Sequence, residues 1–486
     1  MYKKKFATSE GVLLSLTLLS AVSLASPHTS ADSSGAVDVS LTIPSVCSLS
    51  ITDDDLIQTI YPGTDDTIGA SKIKALCNDN DGLAVYAVGY TGDSYGDNNL
   101  RLEGTELFIP TSTVEDTNSR WNMTIAAATG SYAPTIAVDF TTAHIIPAQY
   151  TKVAYRNSQT DTGEGATGAN FTATFDAYVS AAQAAGIYTG KVKFLLIHPN
   201  IIDSSTSPVT ETLSVLPTMQ DVSTWGSSIT AGQEIIAVDA RDGKTYTVAR
   251  LADGNLWMTQ NLDFNIDSTK TYTPADTDLP ANTTWTPSHS THATGDTAWG
   301  WDSNAQSYDP GDIYWNGKLN RNWESSYENY ISDYGDPHFH TGNYYNWAAA
   351  VAVDNSDSYT GDGVLIDRSI CPAGWTLPRP GTGEDSFSQM LAGYGFTDNP
   401  FHNDDTLWDI APHFVLASVW DGELEFIGAY GEYWSSVAGG PYTAYGEYFD
   451  VDSDEPTLWH SDNVGRAWAN SVRCIARPVS STITGL

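Results

Sequence analysis

Between residues 37 and 199 apolar and polar residues alternate in short runs, and Gly, Asp and Asn interrupt those runs at short intervals. The runs at 37–43 (VDVSLTI), 83–90 (LAVYAVGY) and 188–197 (YTGKVKFLLI) set the pattern. Side chains of an extended chain point to opposite faces in turn, so alternation of this kind buries one face of a strand. β-branched and aromatic residues at the apolar positions suit a half-buried pleated surface. Many short strands separated by turn signals predict a β-sandwich over 37–199. The one helical candidate in this half is a short stretch at 178–185.

The composition then changes. Residues 200–228 open with a stretch rich in Ser, Thr and Pro and read as a linker or connecting strand. Of the 15 tryptophans, 14 follow residue 224, set among long loops of Asp, Ser, Gly and Tyr. A second domain is therefore expected over 229–480. The fold class expected for the whole chain is mainly β, with an α+β, loop-rich C-terminal part.

Residues 1–25 read as a secretory signal: Lys3, Lys4 and Lys5 precede an apolar run at 12–22, and Ser23 and Ala25 offer small residues for cleavage. Thr8, Ser9 and Glu10 separate the lysines from that run, so an uncleaved anchor is the alternative. Nothing downstream approaches the roughly 20 apolar residues of a membrane-spanning helix. Four cysteines in an exported chain are expected to pair. Of the three connectivities, Cys47–Cys77 with Cys371–Cys474 keeps each pair inside one expected domain. A four-thiolate metal site would need close pairs such as C-x2-C, which this chain lacks.

Charge narrows the partners. The net charge is −37 at pH 7, from 22 Lys and Arg against 59 Asp and Glu, yet only 17% of residues are charged and 41% are hydrophobic. Such a chain folds and wears an acidic surface, unlike a disordered polyanion. That surface disfavours nucleic acid and anionic membranes, which bind basic footprints.

Two resemblances add to this reading. In the first half, SVC at 45–47, Cys77, and the AGIYTGKV phrase at 185–192 resemble bacterial fimbrial and adhesion β-sandwich modules. This implies a spacer, assembly or adhesion unit. In the second half, DGKTY at 242–246 and NLWMTQNL at 255–262 resemble the opening of the Fibrobacter succinogenes major paralogous domain. That family's signatures GxxYNWxAA, CPxGWxLP, YWSS and SVRC follow in order at 342–350, 371–378, 433–436 and 471–474. The family is similar to C-type lectin-like domains, which implies a long-range disulfide beneath a loop-rich surface, a small twisted antiparallel sheet and one or two helices. Ser386, Phe387, Met390 and Leu391 have the spacing of such a helix.

The phrases have a physical reading of their own. Pro372 and Gly374 are turn residues. Trp347, Trp375 and Trp434 each bring a large apolar surface with one N–H donor, so core packing is their expected role. Ser435, Ser436 and Arg473 are expected to satisfy buried groups. Candidate sites therefore fall between the phrases. Trp299, Trp301, Tyr314, Trp315, Trp323 and Tyr334 lie among Asp, Asn and Gly, where aromatic planes and polar edges suit sugars. Calcium-dependent sugar binding in the lectin relatives uses Glu-Pro-Asn or Gln-Pro-Asp with Trp-Asn-Asp. Here DEPT at 454–457 and WSS at 434–436 stand nearest, and Thr457 and Ser435 depart from both patterns. Asp450, Asp452 and Asp454, and the pairs Asp79 with Asp81 and Asp93 with Asp97, are the other oxygen-rich candidates for calcium, the one cofactor the residues suggest. His289 with His292 and His338 with His340 have metal-compatible spacing, with no cysteine or regular element to fix them. The sequence contains no Gly-x-Ser-x-Gly, His-Glu-x-x-His or phosphate-binding glycine loop. The expected function is a secreted or cell-surface, non-enzymatic binding or adhesion protein whose partner is a glycan or a surface protein. A secreted polysaccharide hydrolase and a structural pilus component are the alternatives.

Overall fold

The computed structural model describes residues 47–78, 80, 82–91, 94–162, 165–197, 215–287, 292–293, 307–309, 342–353, 361–380, 386–394, 401–402, 414, 419–420, 424–425, 430–450 and 457–476. They are mainly β, arranged in several largely antiparallel sheets. Residues 44–486 form one compact unit.

Two larger antiparallel sheets build the N-terminal half, beside a small third one of Tyr188–Thr189, Leu100–Leu102 and Phe108–Ile109. In the first, β1 (Cys47–Thr52) pairs with β2 (Thr64–Cys77), β2 with Ala169–Val179, and that strand with Arg120–Ala127. The second joins Lys191–Ile197 to β3 (Leu83–Thr91), β3 to Thr151–Arg156 and that strand to Thr135–Ile136. Alternate residues of both sheets meet in one core: Ile73, Ala75, Met123, Ile125, Phe171 and Phe175 from the first, Leu83, Val85, Ala87 and Val153 from the second. Cys47 and Cys77 stand directly opposite each other on β1 and β2 and form a disulfide.

The stretch 178–185 is not helical. The period-two burial of Phe171, Ala173, Phe175 and Ala177 carries the strand through Val179, after which Gln183 N–H closes a turn onto the Ser180 carbonyl. Gly186 then lies so close to Leu102 that a Cβ would stand 2.3 Å from its Cδ1, which favours glycine there.

β3 differs from the half-buried strand that its alternation predicts. Leu83, Val85 and Ala87 face the core just described, while Ala84, Tyr86, Val88 and Tyr90 belong to a second core. Every residue of β3 from Leu83 to Tyr90 is buried. Near-continuous apolar runs are the mark of strands covered on both faces. The second core takes in Tyr150, Ile197 and Leu216, then Met219, Val222, Ile236, Tyr246, Trp347, Trp375 and Trp434. The hydrophobic interior is thus continuous from the N-terminal sheet into the C-terminal half.

The segment read as a connection is packed from residue 215 onward. Thr218 bridges to Val238, Trp225 donates Nε1–H to the Thr218 carbonyl at 2.8 Å, and Met219 and Val222 are buried. Three sheets follow. Glu234–Val238, Thr245–Arg250, Leu256–Met258, Ile475–Ala476 and Trp375–Thr376 form one, so the C-terminal end of the described chain returns beside the opening strands of the C-terminal half. A second centres on Tyr344–Asn346 paired with Ala469–Asn470. The third centres on Tyr430–Gly439, Thr443–Asp450 and Thr457–Gly465.

Two short helices sit among these sheets. Trp347–Ala350 is capped by the Asn346 side chain, which accepts from Ala349 N–H at 3.0 Å. Phe387–Gly393, at the position the sequence spacing marks, is capped by Ser386, which accepts from Gln389 N–H at 3.1 Å. These caps satisfy donors that a helix start otherwise leaves open. Cys371 and Cys474 are fully buried and form the second disulfide, spanning 103 residues with a Cα–Cα distance of 5.9 Å.

Candidate functional site

The phrase residues are interior. Trp347, Trp375 and Trp434 are each fully buried, and each indole N–H donates to a carbonyl: to Ser435 at 3.1 Å, to Met219 at 2.8 Å and to Tyr345 at 2.5 Å. Ser435 Oγ donates to the Tyr445 carbonyl and Ser436 Oγ to that of Pro378. Arg473 donates Nε–H to Asn261 Oδ1 at 2.8 Å and lies across the rings of Phe414 and Tyr433. Gly374, at φ +84°, turns the chain so that Trp375 N–H reaches the Pro372 carbonyl. Burying an indole without a partner for its N–H is unfavourable, and here each has one.

Most of the surface-loop candidates lie outside the described residues. These are Trp299, Trp301, Tyr314, Trp315, Trp323 and Tyr334, together with Asp79, Asp81, Asp93, Asp452, Asp454, His289, His338 and His340. Asp450 ends the strand Thr443–Asp450, where its backbone stands opposite Tyr430 and Thr457. His292 belongs to the two-residue strand His292–Ala293. Asp97 is engaged within the protein, accepting from Asn99 and pairing with Arg101. Burial opposes its ionisation, but the bonds from Arg101 and Asn99 outweigh that and hold its carboxyl below the usual range.

A dense polar arrangement grows from the DGKTY phrase. Strands Glu234–Val238 and Thr245–Arg250 pair in antiparallel register, and the turn between them closes with Gly243 N–H on the Asp239 carbonyl at 2.7 Å and Asp239 N–H on that of Lys244 at 2.8 Å. Gly243 adopts φ +74°, a conformation that glycine enters without a side-chain penalty. Asp239 faces inward and grips Arg241: Nη2 lies 2.6 Å from Oδ2, and Nε stands 3.0 Å from each oxygen. The side chains of this pair are 0% and 3% exposed. Arg241 also donates to the Ile370 carbonyl at 2.6 Å and to Thr277 Oγ1 at 3.2 Å, and its guanidinium lies 3.8 Å above the Phe264 ring. Lys244 pairs with Asp263 at 2.8 Å. Tyr246 accepts from Asp263 N–H, and Tyr345 bonds both backbone groups of Phe264.

This turn presses against the N-terminal sheet. Tyr90, near the end of β3, donates its hydroxyl to the Gly243 carbonyl at 3.1 Å. The Tyr95 ring lies 5.7 Å from that of Tyr90 and 6.0 Å from that of Tyr150. A Cβ on Gly243 would stand 2.1 Å from the Tyr90 hydroxyl and 2.3 Å from Tyr95 Cδ2. Asp242 Oδ1 accepts from Lys244 N–H at 2.9 Å. Its Oδ2 has no protein partner and no contact with solvent, although the residue as a whole keeps some surface.

Burial, and then the neighbouring charge of Asp239, push the Asp242 carboxyl up to about 7, against the opposing pull of Lys244 and Arg241. Burial likewise raises the Tyr90, Tyr246 and Tyr345 hydroxyls well above their usual value, and that of Tyr95 to about 12. Chemically, the cluster can hold and release a proton. Its unpartnered carboxylate oxygen, Asp242 Oδ2, is closed off from solvent.

The DGKTY phrase is visible in the sequence, but its setting is not. Tyr90, Tyr95 and Tyr150 lie about 90 to 150 positions before it, and their joining is a matter of tertiary packing. The available signal was the recurrence of Tyr86 and Tyr90 on one face of β3, opposite Val85 and Ala87. Among the described residues no three His, Cys, Asp or Glu side chains come together as a metal site. No family model matches the chain, and comparison with curated proteins finds none similar to it.

Proposed function

We propose that this chain is a secreted or cell-surface, non-catalytic binding protein. In this reading an N-terminal β-sandwich carries a C-type-lectin-like module of the Fibrobacter succinogenes major paralogous type, whose loops meet a glycan or a surface protein. The observation that carries it is the burial of the phrase residues: Trp347, Trp375, Trp434 and Arg473 lie in the interior and are engaged there. Residues so placed hold a scaffold, and recognition then falls to the loops between them, as it commonly does on a fixed framework.

Further support comes from the two disulfides, from largely antiparallel sheets sharing a continuous interior, and from an acidic charge balance that suits solubility outside cells. No helix among the described residues is long and apolar enough to cross a membrane. Trp299, Trp301, Tyr314, Trp315, Trp323 and Tyr334 remain the proposed ligand-contacting residues, and Asp450, Asp452 and Asp454 the proposed calcium ligands.

The test is retention of the full chain on a panel of polysaccharides and cell-surface preparations, with and without calcium, while soluble sugars are assayed. The reading expects retention without sugar release. It also expects Trp299→Ala and Trp315→Ala to lower retention by tenfold or more while thermal stability holds. Release of sugar would replace it with a hydrolase, and purification as a filament would replace it with a structural role.

A further inference from the structure

The contact between the 239–246 turn and the N-terminal sheet contains one acid whose charge has nowhere to go. Asp242 sits beside Asp239, and both cations of the turn are already committed: Arg241 grips Asp239 through Nε and Nη2, and Lys244 pairs with Asp263. Tyr246, Tyr345 and Tyr272 interact with Asp242 from the C-terminal half. Tyr90, with Lys193 lying 3.8 Å over its ring, faces it from the N-terminal sheet together with Tyr95 and Tyr150. Tyr90 hydrogen-bonds the carbonyl of the next residue, Gly243. The enclosed Oδ2 is therefore tolerable as a neutral carboxyl oxygen. As part of a carboxylate it adds a second negative charge to an enclosed site whose cations are engaged, and such a charge is relieved by letting water in.

We propose that this contact is a pH-operated latch between the two halves of the molecule, closed while Asp242 holds its proton and loosened when the carboxylate forms. Opening hydrates Asp242 and separates the turn from Tyr90 and Tyr95, so the angle at which the C-terminal half is presented becomes variable on the alkaline side.

The test is hydrogen–deuterium exchange of the full chain from pH 5 to pH 9, corrected for the intrinsic exchange rate and read on peptides covering 83–91 and 239–246. With the Asp242 carboxyl titrating near 7 in the closed form and near 4 in the open form, protection falls roughly thirtyfold between pH 5.5 and 8.5 and levels off above 7. Asp242→Asn removes that dependence and keeps the protection seen at low pH. Glu432→Gln, a buried acid on the strand Tyr430–Gly439, leaves it as in the wild type. Equal protection across the pH range in the wild type, or an unchanged pH response in Asp242→Asn, overturns the latch. Should Asp242→Asn fail to fold, the wild-type profile decides alone: a fall in protection of roughly fiftyfold between pH 5 and 7 upholds it, and a flat profile refutes it.

Discussion

Replacing Gly243 and Gly254 by alanine, one at a time, separates backbone strain from packing at the contact between the halves. Both glycines have positive φ, +74° and +84°, so both alanines meet the left-handed penalty of roughly 1–2 kcal/mol. Their surroundings differ. At Gly254 no atom lies within 4 Å of the new Cβ, whereas at Gly243 it falls 2.1 Å from the Tyr90 hydroxyl and 2.3 Å from Tyr95 Cδ2. Neither ring is free to retreat, since Tyr90 packs on Tyr95 and carries Lys193, while Tyr95 packs on Tyr150. Overpacking of this kind costs about 1–3 kcal/mol, and displacing Tyr90 from the Gly243 carbonyl costs roughly another 1 kcal/mol. Gly254→Ala is therefore expected to lose about 1–2 kcal/mol and Gly243→Ala about 3–6 kcal/mol. Urea unfolding followed by tryptophan fluorescence at pH 5.5 measures both by linear extrapolation. Equal losses would mean that the turn does not press on the N-terminal sheet, and the two-core description would fail.

Other consequences follow from the same contacts. Cys371→Ala with Cys474→Ala removes a buried link closing 103 residues, so unfolding free energy should fall by about 4–5 kcal/mol in the loop-entropy view, read by the urea midpoint. Arg241→Met leaves Asp239 buried beside Asp242 without its cation and should cost about 3–5 kcal/mol, with partial recovery in the Arg241→Met, Asp239→Leu double variant. Asp242, raised to about 7, binds its proton more tightly folded than unfolded. Its contribution to stability is complete below about pH 4 and is lost as pH rises through 7, so urea midpoints should fall over that window and flatten in Asp242→Asn.

Local chemistry was legible in the sequence, and packing between distant segments was not. The disulfides Cys47–Cys77 and Cys371–Cys474 follow from keeping each pair within one half of the chain. The helix Phe387–Gly393 follows from a serine cap and the spacing of Phe387, Met390 and Leu391. The buried roles of Trp347, Trp375 and Trp434 follow from their size and single donor. At 178–185 an alanine-rich stretch suggested a helix, but the alternation that begins at Phe171 runs on to Val179 and tertiary pairing prevails. At β3 the alternation predicts a half-buried strand, but the run has almost no polar residue, and that lack is the mark of two covered faces. The setting of Asp242 was out of reach, since neither Tyr90 nor Tyr150 carries a local sign of meeting a turn far along the chain. The rise in tryptophan after residue 224 shows where packing chemistry changes, while Tyr86, Tyr90 and Met219 carry one interior across that change.

That shared interior is most directly tested by native-state hydrogen exchange in increasing urea at pH 5.5, comparing amides of β3 with those of Ala169–Val179 and Thr245–Arg250. If β3 belongs to both cores, the three sets converge on one unfolding free energy and one urea dependence. If Thr245–Arg250 opens at lower urea while β3 stays as protected as Ala169–Val179, the halves unfold independently and β3 serves only one of them.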